Sequence, residues 1–453
     1  MRDAGRLGNP DSGKNSHRPR FVRRREPVGF GGFTLAGSGN PYLPKRAALH
    51  EMLKKRLPLL TLTVAHGFVD FYIYIPAVLA PGIAQYLGIP LGDVVFVAGA
   101  ASLTNNVVQL PAGYAIGKRN TAWTLWLSVL LASFSTFVGF ASGMASFVVL
   151  VMLGAIGTGA FHPEAALSAH DEAGQDSNMG IPVFIAGGAA IAAVSTPMSI
   201  KWSGWLGFPA LAWFALPGSL AALALLLQYR TRKRGSPTGV LKPRSLRIGK
   251  AHAGRLSFWP LLAVAICLSI ANGVFIYTLS SHYELIFGSG ARIWSGWILM
   301  LCGMVGLLVS FVWTALAGKY GFFRVVLASQ AAAAPLLLLL AWPASPASGF
   351  LIAVPLAFIS PSSIFPVVIA MSRNAAGLTQ GLRTGIVIGG TSGLSSIVVM
   401  TAGRLLRAGM PSSYLLMGCA ACCLAATLLA GWQILAGKGG LGGKAAGGDQ
   451  ETS

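Results

Sequence analysis

Charge is what this sequence has least of. Asp, Glu, Lys and Arg together make up 10% of its 453 residues, and only 13 are acidic. A soluble globular chain carries roughly 25% charged residues, so soluble enzymes and soluble binding modules are excluded as classes. Signatures of hydrolytic chemistry are missing too. There is no H-E-x-x-H and no G-x-S-x-G, the arrangements that mark zinc and serine hydrolases. Cysteine is scarce. All five, Cys267, Cys302, Cys419, Cys422 and Cys423, fall in apolar runs. The C-x-x-C spacing inside "CAACC" lacks the soluble context of a redox or zinc motif, so these residues are expected to pack as small hydrophobes.

What remains is mostly apolar: 54% hydrophobic residues, with 57 Gly and 25 Pro. About 20 predominantly apolar residues carry a helix across a hydrocarbon core, and the chain offers such runs repeatedly. They are continuous, unlike the alternating segments of about ten residues that build a membrane barrel. Runs near 57–86, 91–117, 121–141, 143–168, 180–201 and 205–229 form a first set of six. A second six lie near 257–287, 292–318, 324–342, 347–372, 379–403 and 411–436. The expected fold is therefore all-α membrane: twelve transmembrane helices in two six-helix bundles, 57–229 and 257–436, with a basic tail at 1–56, a basic linker at 230–256 and a C-terminal tail at 437–453. Pro76 and Pro81 are expected to break the first run.

The charge balance fits this topology. Positive residues concentrate in cytoplasmic loops, and with both termini inside, 30 of the 34 Lys and Arg fall on that side. Only Lys201, Arg292, Arg404 and Arg407 lie outside. The net charge of +21 thus reflects orientation. "RFVRRREPVGF" near the N-terminus resembles a nucleic-acid patch only in charge. It has no periodic apolar face, and basic segments beside a membrane are drawn to anionic lipid. No nucleic-acid partner is expected. The first 50 residues are expected to be disordered, no cleavable signal peptide is expected ahead of the first full-length span, and translation starting at Met52 fits the "LKKRLP" that follows it.

Two sequence features identify a family resemblance. Six plus six spans around a basic linker resemble the major facilitator superfamily, whose loops after the second and eighth spans carry a G-x-x-x-D-R-x-G-R-R pattern. Here those loops read "GYAIGKRN" from Gly113 and "AGKYGFFR" from Ala317, with Gly117 and Gly318 where the acidic residue stands in the family. "AHGFVDFYIYIPAVLAPGIA" at 65–84, with His66, Asp70 and Tyr72, and "GTGAFHPEAA" at 157–166, with Phe161 to Glu164, resemble the fosmidomycin-resistance branch. "FIAGGAAIAAVSTP" and "GLRTGIVIGGTSGLSS" fit that branch more loosely. The resemblance covers about residues 57–436. It implies alternating-access transport, with proton-linked efflux of a drug or metabolite. A proton-coupled uptake symporter and a non-transporting sensor or scaffold are the alternatives.

The acidic inventory points to the same region without the family. Most of the 13 acidic residues lie in tails or loops, and Asp93 is placed to cap the second span. Asp70, Glu164 and, near the outer end of the seventh span, Glu284 are left inside the membrane. An ionised side chain at a helix centre costs about 2.5–3.5 kcal/mol, so each must be neutralised, paired or hydrated. His66 and Asp70 are four apart and share a helix face. Counting about 1.5 Å per residue from the inner ends puts His66 and Glu164 at similar depth. His162 and Glu164 are two apart, but Pro163 between them is expected to kink the helix and turn both inward. Buried acid and imidazole titrate toward one another, so His66, Asp70, His162 and Glu164 are candidate proton-coupling residues. A network that only orients the first and fourth helices is the alternative.

Tyr72, Asn105, Asn106, Gln109, Asn272 and Tyr277 are candidate substrate contacts, although each can equally serve an interhelical hydrogen bond. His282 and Glu284 near the outer mouth, and Lys118, Arg119, Lys319, Arg324 and Arg383 on the inner side, are candidate gating residues. Arg383 is the one basic side chain placed to receive an anion, so a neutral or cationic substrate fits as well as a phosphonate. No metal or other cofactor is expected, since metal sites need three or four convergent ligands. The expected partners are a small-molecule substrate, protons and the bilayer of the cell's inner (plasma) membrane, around a monomer that is not an enzyme.

Overall fold

The computed structural model describes residues 43–116, 122–173, 177–235, 256–373, 375–376 and 378–437. The helical bundle lies within the unit Met52–Ser453. Before the linker the helices are α1 Leu43–Val78, α2 Ala80–Leu87, α3 Leu91–Ile116, α4 Thr124–Ala132, α5 Met144–Ala173, α6 Ser177–Leu206 and α7 Ala215–Gly235. After it come α8 Phe258–Phe287, α9 Arg292–Tyr320, α10 Phe322–Leu340, α11 Pro346–Ile359, α12 Pro361–Arg373, α13 Gln380–Gly385, α14 Thr391–Arg407 and α15 Ser413–Leu435. Among the described residues, eleven helical stretches are long and apolar enough to cross a membrane.

The expected twelfth, the third run of the sequence, is shorter than the others. Thr124–Phe140 has α-helical geometry only as far as Ala132 and then tightens into a 3-10 helix, Ser133–Phe140. The tightening lengthens it. Nine α-helical residues rise about 14 Å, and eight 3-10 residues about 16 Å more.

Prolines set two of the breaks, while Gly88, Gly207, Gly288 and Gly321, all at positive φ, follow the ends of α2, α6, α8 and α9. Pro81 sits in the first turn of α2, where its missing N–H costs nothing, and α1 ends at Val78 just before it. Pro76, by contrast, lies inside α1 and does not end it. The tenth run breaks at Ser360, whose extended ψ of 156° is what a residue preceding proline adopts. Pro163 does not interrupt α5, which is helical from Met144 to Ala173.

The packing is that of a protein in oil. Leu110, Leu220, Leu308, Phe311 and Leu428 are each more than half exposed, as a lipid-facing surface requires. Buried hydroxyls return their protons to the preceding turn: Thr63 to the Leu59 carbonyl at 2.8 Å, Thr158 to Gly154 at 3.0 Å, and Ser329 to Val325 at 2.8 Å. Without water, every polar group must find a partner inside the protein.

Helices from the two sides of the linker meet most closely at one end of the bundle. α3 runs against α14 so tightly that a Cβ on Gly92 would strike the Gly403 carbonyl oxygen, and one on Gly403 would lie 2.7 Å from the Gly92 oxygen. At that end Asp93 pairs with Arg407, and the Arg404 guanidinium lies 4.7 Å from the centre of the Phe96 ring. Asp93 therefore serves the α3–α14 seam as well as its own helix start. Arg292 pairs with Glu284, donating to Oε1 at 3.1 Å, and also to Gln85 of α2 at 3.2 Å. α6 and α9 are joined by the Thr196 hydroxyl, which donates to the Gly296 carbonyl at 2.9 Å.

Candidate functional site

α1 presents His66, Asp70 and Tyr74 at intervals of four, so the three share one face. His66 Nε2 lies 3.4 Å from Asp70 Oδ2. From α5, His162 Nε2 approaches Asp70 Oδ1 at 3.0 Å. The facing atoms of His66, Asp70 and His162 all lie within 4.8 Å of one another, close enough to share a proton or another small cation.

The backbone fixes which imidazole nitrogens carry hydrogen. His66 Nδ1 is 2.9 Å from the Phe184 carbonyl oxygen and His162 Nδ1 is 2.8 Å from the Thr158 carbonyl oxygen. A carbonyl only accepts, so both Nδ1 atoms must donate. Each neutral ring then turns a bare lone pair toward Asp70. A lone pair and a carboxylate oxygen 3.0 Å apart repel unless a positive charge sits between them, and the smallest that does so is a proton on His162 Nε2 or on the acid itself. The cluster is therefore built around at least one proton.

The surroundings hold the rings still. Phe184 stacks on His66 with centroids 4.1 Å apart and an 11° interplanar angle, and Phe161 lies on the ring at 6.2 Å. Gly188 of α6 passes so close that a Cβ there would overlap the His66 ring and lie 2.9 Å from Asp70 Oδ2. Only glycine lets α6 come this near.

Glu164 stands apart from the cluster. It is buried, at 2% exposure, with Ser168 donating to its Oε1 at 3.4 Å. Two residues along a helix turn a side chain by about 200°, and α5 passes through Pro163 without a break. His162 faces Asp70 while Glu164 faces another way, so the expected approach of His66 to Glu164 is replaced by His66, Asp70 and His162.

Asp70 and Tyr74 also line a cavity of about 250 Å3 between α1 and α6 on one side and α8, α9 and α12 on the other, with Thr196, Asn272, Phe275, Cys302, Ser362 and Pro366 in its walls. A second chamber of about 160 Å3 shares Tyr74, Asn272 and Ile276 with it and is lined by Ser102, Asn105, Asn106, Tyr277, Ser392 and Ser395. Asn105, Asn106, Asn272 and Tyr277 thus lie together. Asn106 donates to the Ser102 carbonyl at 2.9 Å, and Ser396 donates to the Ser102 hydroxyl at 2.9 Å.

Other candidates lie elsewhere. Gln109 is one turn beyond the chambers and donates to Asn105 Oδ1 at 3.5 Å. Tyr72 points away from Asp70's face and donates to the Phe214 carbonyl at 2.8 Å. Tyr74, not Tyr72, is the cavity tyrosine, and spacing alone carried that signal. His282 is fully buried, its Nδ1 2.9 Å from the Ser412 hydroxyl; it is enclosed in the bundle, not open at a mouth. Arg383 is also buried, and its guanidinium donates to the carbonyls of Ser372, Leu378 and Arg373. It holds the connection between α12 and α13, with each guanidinium nitrogen donating to a backbone carbonyl. Lys319 lies 5.0 Å from the centre of the Tyr320 ring, Arg324 is exposed at the start of α10, and Lys118 and Arg119 lie outside the described residues.

Comparison with known proteins agrees with this architecture. The Major Facilitator Superfamily model matches residues 60–372. No curated protein matches the sequence. Among solved structures, a bacterial homolog of the human lysosomal transporter Spinster, inward-facing and unoccupied, superposes with a TM-score of 0.64 at 15% identity, covering 88% of this chain and 98% of its own. A mutant of the peptide transporter POT gives 0.65 at 13% identity, covering 84% and 94%. At these identities the likeness is one of fold.

Proposed function

Because the chain belongs to the Major Facilitator Superfamily, we propose that it is a proton-coupled secondary transporter of the fosmidomycin-resistance branch, exporting a small molecule by alternating access. The 3.0 Å contact between His162 Nε2 and Asp70 Oδ1 carries this reading, since it needs a proton and lies in the wall of the cavity between the two sets of helices. The branch assignment rests on "AHGFVDFYIYIP" and "GTGAFHPEA".

Topology follows from charge and length. Thr124–Phe140 rises about 30 Å as part α-helix and part 3-10 helix, the thickness of a hydrocarbon core, and is the twelfth span. With an even number of spans and the basic residues inside, both termini are cytoplasmic, in the cell's inner membrane, and a monomer suffices. The Asp93–Arg407 and Arg292–Glu284 ends then face outward, and the seam they close supports an inward-facing state.

In this mechanism Asp70 and its histidines take up a proton from one side and release it to the other as the two helix sets rock about the cavity. Glu164, buried two residues past His162, serves as the relay toward the cytoplasmic end. The test is transport into inside-out vesicles with a pH-reporting dye, across a compound panel. Proton efflux linked to substrate entry is expected in the wild type, lost in Asp70→Asn and slowed in Glu164→Gln. Transport with flat pH dependence, unchanged in both variants, would sink the proposal.

A further inference from the structure

The cavity wall carries one kind of charge. Its lining comes from α1, α6, α8, α9 and α12, and Asp70 is the sole ionisable carboxylate or base among those residues. Tyr74 and Cys302 are the other titratable groups there, both neutral near physiological pH. From α5, His162 faces Asp70, and from α1, His66 does. The adjoining chamber adds Tyr277, serines and asparagines but no Lys or Arg. Arg383, the only deep basic group foreseen as an anion partner, is held away from the chambers at the α12–α13 connection, each of its three guanidinium nitrogens donating to a backbone carbonyl.

Charge states decide what such a site accepts. With both Nδ1–H groups tied to carbonyls, a cluster holding one proton on its facing atoms is neutral overall, and the same cluster without that proton has a charge of minus one. A single positive charge restores neutrality in a medium where an unbalanced charge is costly. Tyr74 and Phe275, in the same walls, bring aromatic rings, whose faces attract cations. Among the described lining residues an anion finds no Lys or Arg. The two adjoining chambers, about 250 and 160 Å3, together reach only the low end of the roughly 300–1,000 Å3 of sites for drug-sized ligands, so a compact ion fits better than a large dye.

Building on the transport reading above, we propose that the substrate is a compact monovalent organic cation, an amine or quaternary ammonium carrying an apolar group, that occupies the cavity beside Asp70 in exchange for the cluster's proton. The exchange is one charge for one charge. The proton leaves the His162–Asp70 contact as the cation arrives, so the cycle moves no net charge and is driven by the pH difference alone.

Three probes of nearly one shape test this on the wild-type chain: benzyltrimethylammonium, its neutral isostere neopentylbenzene, and phenylphosphonate. The quaternary cation has no proton of its own, so any pH effect belongs to the protein. Calorimetry in buffers of differing ionisation enthalpy is expected to show benzyltrimethylammonium binding with release of about one proton, at least tenfold more weakly at pH 6 than at pH 8. Neither of the other probes should do so. Asp70→Asn should lose the cation by tenfold or more and Asp70→Glu should retain it, while the probe comparison needs no variant at all. Equal binding of the neutral isostere, tighter binding of the phosphonate, or undiminished cation affinity in Asp70→Asn would overturn the inference. Proton movement driven by the phosphonate alone would overturn the cation assignment and leave proton coupling standing. Cation binding without proton release at any pH would do the reverse.

Discussion

At the scale of single residues, the site depends on contacts of very different kinds. Gly188 matters through what it lacks. Gly188→Ala drives a methyl group into the His66 ring and toward Asp70, and a small-to-large change in such a packed place costs about 1–3 kcal/mol. The variant is expected to unfold at lower temperature and to lose proton-coupled transport disproportionately, because the displaced group is the cluster itself. Thermal unfolding and vesicle transport measured together check this; normal coupling in a destabilised protein would contradict it. Spacing made His66 and Asp70 legible in the sequence, since residues four apart must share a helix face. The same rule reaches Tyr74 and rejects Tyr72, whose hydroxyl goes to Phe214. The choice of His162 over Glu164 as Asp70's partner was not legible, because it depends on how α5 is rotated against α1. The Phe184 and Thr158 carbonyls that fix the tautomers were invisible for a simpler reason: backbone atoms carry no sequence signal.

Among elements, the seam between α3 and α14 is the closure that the charges suggest least. Arg292, Arg404 and Arg407, three of the four basic residues assigned outside, each contact a residue across the chain's two helix sets: Gln85, Phe96 and Asp93. Counting charge for topology treats them as exceptions, whereas the structure gives them work at an interface. Arg407 is 58% exposed, and a pair so open to water contributes little. The glycines therefore dominate closure. Arg407→Ala is expected to raise labelling of an outward-facing cysteine probe by less than about fivefold, and Gly403→Val by far more, since its side chain meets the α3 backbone. The reverse ranking would show that the ion pair is the latch. The hydropathy runs anticipated these helices well, but not the 3-10 ending of the third span or the break at Ser360. Local geometry there follows packing and proline, and hydropathy averages over both.

For the whole molecule, the fold was the most legible feature, because bilayer thickness and charge asymmetry constrain the entire chain at once. Two cavities between the helix sets sit where rocking must alter access. Spin labels at Val183 and Tyr320, at the ends expected inside, should move closer when a cation or a pH gradient drives the exchange, while labels at Leu206 and Trp297 move apart. Distances unchanged at both ends would mean that the bundle does not alternate. All of these motions turn on something smaller: a proton held between His162 Nε2 and Asp70 Oδ1, with Nδ1 donating to Thr158. Nitrogen-15 magnetic resonance of His162 across pH measures it most directly. A protonated Nδ1 is expected at every pH, together with an Nε2 signal that changes as the shared proton leaves and a displacement of that change in Asp70→Asn. A bare Nδ1, or an Nε2 signal indifferent to both pH and Asp70, would contradict it.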